Sequence, residues 1–188
     1  MPKACIYAGF RHFLSNGSGL ALFVRAIMAR KQMKSNKEHY MTKVNFYDSI
    51  NDSMLKFAVI IARHNGKWVF CKHKERNTWE APGGHREDGE DILETAKREL
   101  YEETGAITFD ITPICIYSVT APDNFDGTET FGKLFFSDIH TFEKELHSEI
   151  EKIAIMDELP INWTYPEIQP KLIEEARKRG FCPKLDIR

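Results

Sequence analysis

The sequence has few cysteines, and their spacing argues against two classes of small domain. Its four cysteines, Cys5, Cys71, Cys115 and Cys182, lie far apart and form no C-x-x-C pair. This distribution is not typical of a zinc knuckle or of a disulfide-stabilised scaffold. We therefore expect reduced thiols and, with them, a cytoplasmic location.

Long hydrophobic runs are also missing. The sequence contains no apolar stretch of about 18 residues, so it predicts no membrane-spanning helix. With 188 residues, 42% of them hydrophobic, the chain is long enough to bury one sizeable core. The expectation is therefore one main domain, with a small appendage at most.

Acidic residues are nearly absent from residues 1–40, which carry seven Lys or Arg and one Glu, although the whole chain has a formal net charge of −2. We therefore predict a basic N-terminal extension, residues 1–40, followed by a domain at residues 41–188. Three interpretations of the extension stay open. Its apolar run Gly19–Val24 and its arginines loosely fit a targeting or membrane-surface segment; it could instead be a docked helix, or an expendable stretch upstream of a natural start at Met41.

Two apolar, β-branched runs joined by Asn65-Gly66 predict a β-hairpin. The runs are Leu55–Ala62 and Trp68–Lys72, and Asn-Gly between two such runs is a strong hairpin signal. Further strands are predicted at Ile111–Thr120, Thr130–Ser137 and Ile150–Met156.

A helix is predicted from about Ile92 to Thr104. Asp91 followed by Glu94 fits a capping box, and Gly105 is placed to end the helix in a left-handed conformation. One apolar stripe along this helix is expected to face the sheet. It consists of Ile92, Ala96 and Leu100.

A second helix is predicted at Pro166–Arg179, with Pro166 in its first turn and Gly180 just past its end. Strands thus bracket one central helix and one late helix. This order predicts an α/β fold in which a mixed β-sheet is sandwiched between helices.

Three glutamates of the central helix, Glu99, Glu102 and Glu103, fall at positions i, i+3 and i+4, so their carboxylates converge on one face. They repel one another, and the helix dipole disfavours each by about 0.3–1 kcal/mol near the C-terminal end. A cation would relieve both penalties, and hard oxygen ligands favour Mg²⁺ or Mn²⁺ over zinc. A solvated acidic face is the alternative for an isolated Glu-rich helix.

These glutamates belong to a longer pattern: Gly84, five residues, Glu90, seven residues, then Arg98–Gly105. The pattern resembles the signature of the Nudix hydrolase superfamily at each of its seven invariant-type positions. At average residue usage, such a coincidence has a probability on the order of 10⁻⁸ at a given start. One departure is Ala106, where a bulkier aliphatic is usual, and we expect it to affect packing more than chemistry.

The resemblance implies a fold, a reaction and a metal site. The fold is an α/β/α sandwich with a mixed sheet, and the reaction is hydrolysis of a diphosphate linked to a second moiety. A divalent ion would be bound by a backbone carbonyl of Gly83 or Gly84 together with the carboxylates of Glu99, Glu102 and Glu103.

The resemblance also implies catalytic roles. Metal ions would clamp the phosphates and activate a water, with Glu99 or Glu102 as the general base. Arg98 is expected to pair with Glu90 or with the helix carboxylates and to orient them in a bidentate contact. Glu149 is the candidate for an additional metal ligand from a later loop, although a solvated surface acid is an equal alternative.

Substrate contacts are expected from the segment before Pro82. A basic cluster suited to phosphate is formed by Lys72, His73, Lys74 and Arg76, with an ordinary charged strand end as the alternative. Of these, Lys72, Lys74 and Arg76 are the candidate substrate contacts. Trp79 could stack on a base, although a single tryptophan before a turn is more often a core anchor.

From Val44 to Arg179 the chain is similar to MutT-like Nudix enzymes of the Firmicute type, which act on nucleoside triphosphates such as 8-oxo-dGTP and on the 5′-triphosphate end of RNA. A nucleotide or an RNA 5′ end is therefore the expected substrate. Pro122, sixteen residues beyond Ala106, has a spacing found in ADP-ribose pyrophosphatases, so ADP-ribose or a nucleotide sugar is the alternative. A non-catalytic Nudix nucleotide sensor is less favoured, because the helix glutamates are all present.

The interpretation of Met41 as a natural start gives a direct prediction. A chain shortened to begin at Met41 is expected to keep its solubility, its activity and its affinity for RNA, because the domain's motifs all lie downstream. Sedimentation, turnover and RNA-binding measurements on the two lengths check this. Loss of RNA or membrane binding in the shorter chain would assign a role to the extension.

Overall fold

The computed structural model describes residues 41–121, 127–144, 146 and 149–182. Two predictions, the basic extension at residues 1–40 and the role of Pro122, lie outside the described residues. In the part that is described, no helix is both long enough and apolar enough to cross a membrane. Cys71, Cys115 and Cys182 are buried free thiols, as the sequence predicted for them.

The described residues form a seven-stranded sheet and two α-helices. The strands are β1 (Lys43–Tyr47), β2 (Leu55–His64), β3 (Lys67–His73), β4 (Gly83–His85), β5 (Ala106–Thr120), β6 (Thr130–Phe142) and β7 (Ile150–Met156). The helices are α1 (Ile92–Thr104) and α2 (Gln169–Lys178), and a short 3₁₀ helix, Asp52–Met54, leads into β2.

The sheet is mixed, as predicted. Its strand order is β1-β5-β6-β2-β3-β7, and β4 pairs with β2. Strands β2 and β6 run parallel, whereas the other pairs are antiparallel. β3 pairs with Ala62–His64 and β4 with Phe57–Val59, so these two strands share one edge of β2.

The predicted hairpin is confirmed. His64 pairs with Lys67 across a two-residue turn. Asn65 has φ 50° and Gly66 has φ 79°. Two consecutive positive φ values are what the tight Asn-Gly hairpin turn requires.

Helix α1 has the bounds that the sequence predicted. The Asp91 carboxylate accepts a hydrogen bond from the Leu93 N–H at 2.8 Å, and Gly105, with φ 72°, ends the helix in the left-handed conformation. The reciprocal half of the capping box is not formed, because Glu94 accepts a hydrogen bond from Lys97 at 2.7 Å instead. The N-cap is thus supplied by Asp91 alone.

Two apolar cores cover the two faces of the sheet. The stripe of α1 is buried against one face, with Leu100 fully buried among Ile60, Ile116 and Phe135. α2 covers the opposite face, where Leu172 packs in a core with Phe70. Successive strand residues alternate between the two cores, as the two-residue period of a strand dictates. The predicted sandwich of a mixed sheet between helices is therefore confirmed.

The second helix begins later than predicted, so the assignment of Pro166 to its first turn is wrong. α2 starts at Gln169 and carries Pro170 in its first turn. A helix begun at Pro166 would need a hydrogen bond from residue 170 to the carbonyl of residue 166, and Pro170 has no N–H to donate. Starting at Gln169 places that proline where no donor is needed.

Other strand boundaries also differ. β5 begins at Ala106 and β6 extends to Phe142, both beyond the predicted runs, because these two strands pair along most of their length. β1 and β4 were not predicted. β4 is mostly glycine, and pairing with β2 rather than intrinsic propensity makes it a strand.

The departure from the family pattern at Ala106 lies in the core, at the exit of α1. Ala106 is buried in the core beside α1, whereas Ile107 is 53% exposed. The small residue fits beneath the end of the helix, and the larger one points outward.

Replacing Leu100 by Ala is expected to lower the free energy of unfolding by about 2–5 kcal/mol, because it removes a fully buried side chain and leaves a cavity. Ile107→Ala is the matched control, with an expected change of about 0.5 kcal/mol or less. Chemical denaturation of the two variants measures both values. Equal losses would contradict the assignment of the apolar stripe to the core.

Candidate active site

Gly83 and Gly84 allow β4 to lie in a space that side chains would fill. A Cβ on Gly83 would lie 2.4 Å from the carbonyl oxygen of Ala58 on β2. A Cβ on Gly84 would lie 2.3 Å from Oε1 of Glu99. Glycine at these two positions therefore brings the backbone of β4 directly against a carboxylate of α1.

Arg98 joins the loop before α1 to the acidic face of the helix. Its guanidinium forms a bidentate pair with Glu90, through Nε at 2.9 Å and Nη2 at 3.0 Å. Nη1 donates to Glu99 at 2.8 Å and to Glu102 at 3.2 Å, and Nη2 also reaches the carbonyl oxygen of His85 at 3.0 Å. The contacts expected from the sequence are thus all present, and one planar group sets the positions of three carboxylates.

Glu90 is the most fully satisfied of these carboxylates. Besides Arg98, it accepts hydrogen bonds from the Thr95 hydroxyl at 2.8 Å and the Glu87 N–H at 3.1 Å. The Arg98 hydrogen bonds are the main cause that lowers the pKa of Glu90 to about 2. Glu90 therefore stays ionised and serves to hold Arg98.

Glu103 is held differently from its neighbours. Its Oε2 accepts a hydrogen bond from the Gly83 N–H at 2.9 Å and a weaker one from the Cys71 thiol at 3.5 Å. Burial, with the nearby charges of Glu99 and Glu80, raises the pKa of Glu103 to about 8. This carboxylate lacks a cationic partner among the described residues.

Glu99, like Glu103, has a raised pKa. Burial is the main cause that raises its pKa, and the hydrogen bond from Arg98 opposes the shift. A cation placed between Glu99 and Glu103 would stabilise both ionised forms.

A cavity of about 710 Å³ adjoins these residues. Its wall includes Gly83, Gly84 and Glu103 from the acidic cluster. It also includes apolar and aromatic side chains, among them Phe57, Val59, Tyr117, Tyr165 and Leu172. The cavity therefore combines an acidic wall with surfaces suited to a ring system.

Glu149, the predicted additional carboxylate, lines the same cavity. Its Oε2 lies 2.7 Å from Nε2 of His73, whose Nδ1 accepts from the Glu75 N–H at 3.3 Å. Because Nδ1 is an acceptor, Nε2 carries the proton and donates to Glu149. This hydrogen bond from His73 lowers the pKa of Glu149.

The four predicted substrate contacts are dispersed. Arg76 lines the cavity. Lys72 instead pairs with Glu151 on β7 at 2.6 Å, and the Lys74 N–H donates to the carbonyl of Glu149. Trp79 packs beside the core of α2, with Lys152 over its ring. Of the four, Arg76 is placed best for contact with a ligand.

The donor set fits a hard divalent cation. Among the described residues no group of three His, Cys, Asp or Glu side chains is arranged to hold a metal. Arg98 instead pairs with Glu99 and Glu102, and the Gly83 N–H donates to Glu103. The fit rests on the buried, poorly compensated Glu103 and on the glycine backbone that lies against Glu99. Gly83 or Gly84 and the three helix glutamates would hold the ion after side-chain rearrangement.

Three residues beside this cluster were missed by the sequence analysis. Glu80 is buried and pairs with Arg76, Cys71 touches Glu103, and Gln169 accepts a hydrogen bond from the Ala81 N–H at 3.2 Å. The spacing of Arg76 and Glu80 was visible as a charge pair four residues apart. The contacts of Cys71 and Gln169 depend on tertiary packing and had no local signal.

Comparison with known proteins places these residues in a described family. The model of the NUDIX domain matches residues 53–175. A Bacillus subtilis protein, YtkD, named as a candidate 8-oxo-dGTP diphosphatase, is 31% identical over 129 residues, which cover 67% of this chain and 78% of that protein. Three further curated relatives are matched over only 11–29% of their own length.

Solved structures share the fold. A mutant of the Bacillus subtilis pyrophosphohydrolase BsRppH is 24% identical, with a TM-score of 0.62 over 76% of this chain and 93% of that one. A NUDIX hydrolase from Nitrosomonas europaea is 25% identical, with a TM-score of 0.56 over 71% of this chain and 95% of that one.

Replacing Arg98 by Lys is expected to lower kcat/KM by about 10–100-fold, because a point charge cannot hold Glu90 and two helix carboxylates at once. Lys97→Arg on the exposed side of α1 is the matched control and should be nearly neutral. Turnover measured against Mg²⁺ concentration checks both. Wild-type metal dependence in Arg98→Lys would contradict the organising role of the guanidinium.

Proposed function

The chain belongs to the Nudix family, and from this premise we propose that it is a pyrophosphohydrolase, dependent on Mg²⁺ or Mn²⁺, that acts on a nucleoside triphosphate resembling 8-oxo-dGTP or on the 5′-triphosphate end of RNA. The observation that carries the proposal is the acidic cluster of α1, gathered by Arg98 and placed against Gly83 and Gly84 at the wall of a large cavity. Nudix relatives act on phosphoric anhydrides, which fits this arrangement.

The chemistry follows from the types of side chain present. A divalent ion bound by these carboxylates would supply charge for the phosphate oxygens and a water of lowered pKa. Glu99 and Glu102 pair with Arg98, and they are the candidates for the general base that accepts the proton of the water. Arg98 orients them, and Glu90 keeps Arg98 in place. Glu149 and His73, on the cavity wall, supply a further carboxylate and its hydrogen-bond partner.

The substrate class rests on the similarity to YtkD and on the shape of the cavity. A polar wall beside aromatic and apolar side chains suits a ligand with phosphates and a base. The free, buried cysteines favour a protein that functions in a reducing, cytoplasmic environment. The ADP-ribose alternative rests on Pro122, which lies outside the described residues. ADP-ribose is therefore included only as one of the substrates compared below.

Glu103→Gln is expected to cut kcat by at least about 100-fold with the fold intact. Glutamine can still accept the Gly83 N–H but cannot offer the negative charge that a metal needs. Glu94→Gln, on the exposed first turn of the same helix, is the matched control. Circular dichroism verifies the fold, and a Glu103→Gln enzyme with near-normal turnover would exclude Glu103 as a metal ligand.

Side-by-side hydrolysis of 8-oxo-dGTP, 5′-triphosphorylated RNA and ADP-ribose in Mg²⁺ tests the substrate class. We expect the highest kcat/KM for one of the two triphosphates. Preference for ADP-ribose would replace the proposed substrate. Binding without hydrolysis of any of the three would favour the nucleotide-sensor alternative.

A further inference from the structure

Arg76 is the one Lys or Arg among the described residues that line the cavity. Two other guanidinium groups lie near the acidic cluster. Arg98 is paired with Glu90, Glu99 and Glu102. Arg86 donates to the Glu90 carbonyl and pairs with Asp52. Within the part of the chain that the structure describes, a phosphate in this cavity therefore has one permanently charged basic side chain to contact, that of Arg76. What holds that cation is the carboxylate of Glu80.

We propose that Glu80 is a positioning residue that holds Arg76 over the cavity, so that the guanidinium binds a phosphate of the substrate. The inference rests on the proposed function for the identity of the ligand. Arg76 Nη1 lies 3.1 Å and 3.4 Å from the two oxygens of Glu80. A single nitrogen of Arg76 serves this pair, and the Arg76 side chain also hydrogen-bonds with Tyr165, which lines the same cavity.

Glu80 is a firm anchor. Its side chain is only 9% exposed, whereas the Arg76 side chain is 44% exposed. The backbone of Glu80 exchanges two hydrogen bonds of 3.0 Å with Cys71 on β3, and its neighbour Trp79 bonds to Asn162 and Thr164. Both ends of the Glu80 peptide are thus fixed, so its carboxylate marks a defined position for the guanidinium.

The pairing also keeps Arg76 away from the metal-binding carboxylates. Glu103 and Glu149 line the same cavity as Arg76. An arginine without a fixed partner would be drawn to these acids and would compete with a cation for them. By pairing with Arg76, Glu80 therefore keeps the guanidinium available to bind phosphate and leaves the α1 glutamates available to bind a metal.

Glu80→Gln separates positioning from plain electrostatics, because the two predict opposite results. Removing a negative charge from an anion site should tighten phosphate binding if only repulsion matters. If Glu80 holds Arg76, the same substitution should weaken binding. The probe is inorganic triphosphate in the presence of Mg²⁺, titrated by calorimetry into the full-length protein.

We expect Arg76→Gln and Glu80→Gln each to weaken triphosphate binding by about 10-fold, and the double variant to be no weaker than Arg76→Gln alone within about twofold. Glu80→Asp, which keeps the charge, should recover part of the loss and serves as the test variant if Glu80→Gln does not fold. In steady-state assays the loss should appear in KM more than in kcat. Lys171→Gln, at an exposed position of α2, is the control.

The proposal would be overturned if Glu80→Gln bound triphosphate as tightly as the wild type or more tightly. It would also be overturned if the losses multiplied in the double variant, or if the wild-type protein did not bind triphosphate. Failure of the proposed function is distinguishable. A protein that hydrolyses none of the three substrates yet shows the coupled losses would retain the positioning role, whereas an active enzyme with independent losses would lose it.

Discussion

The acidic site depends on the bidentate ion pair between Arg98 and Glu90. Helix α1 alone would carry three mutually repelling glutamates near the end where its dipole disfavours negative charge. The Arg98 guanidinium sits among them and is itself held by a carboxylate that four separate donor contacts keep ionised. Loop, helix and β4 are therefore joined at one point, since Arg98 also reaches the His85 carbonyl.

This arrangement leaves the cluster only partly neutralised. Arg98 compensates Glu90, Glu99 and Glu102, but Glu103 is buried with neutral donors from Gly83 and Cys71. A buried carboxylate with a raised pKa is unfavourable for a merely structural acid, and such conflicts between local stability and composition are found at functional sites. The cluster has the oxygen donors that a hard cation requires, and it would bind one after the side chains rearrange, with the glycines of β4 providing the close backbone approach.

Much of this could be predicted from sequence where the signal is local. The bounds of α1 follow from Asp91, the apolar stripe and Gly105, and the hairpin follows from Asn65-Gly66. Features that depend on partners distant in the sequence could not be predicted in this way. β4 is a strand because β2 offers it an edge, and Pro170 rather than Pro166 sets the start of α2. Glu80 has no visible importance until the fold brings Arg76 and the cavity to it, and Trp79 is placed by packing on the α2 side.

A crystal soaked in Mn²⁺ would show, through the anomalous signal of manganese, whether the α1 carboxylates and the β4 glycines form one divalent-metal site. We expect a manganese peak bound by Glu103 with Glu99 or Glu102 and a carbonyl of Gly83 or Gly84, while Arg98 keeps its pair with Glu90. A peak elsewhere on the protein, or Glu99 and Glu102 still bound to Arg98 with no peak at saturating Mn²⁺, would contradict it.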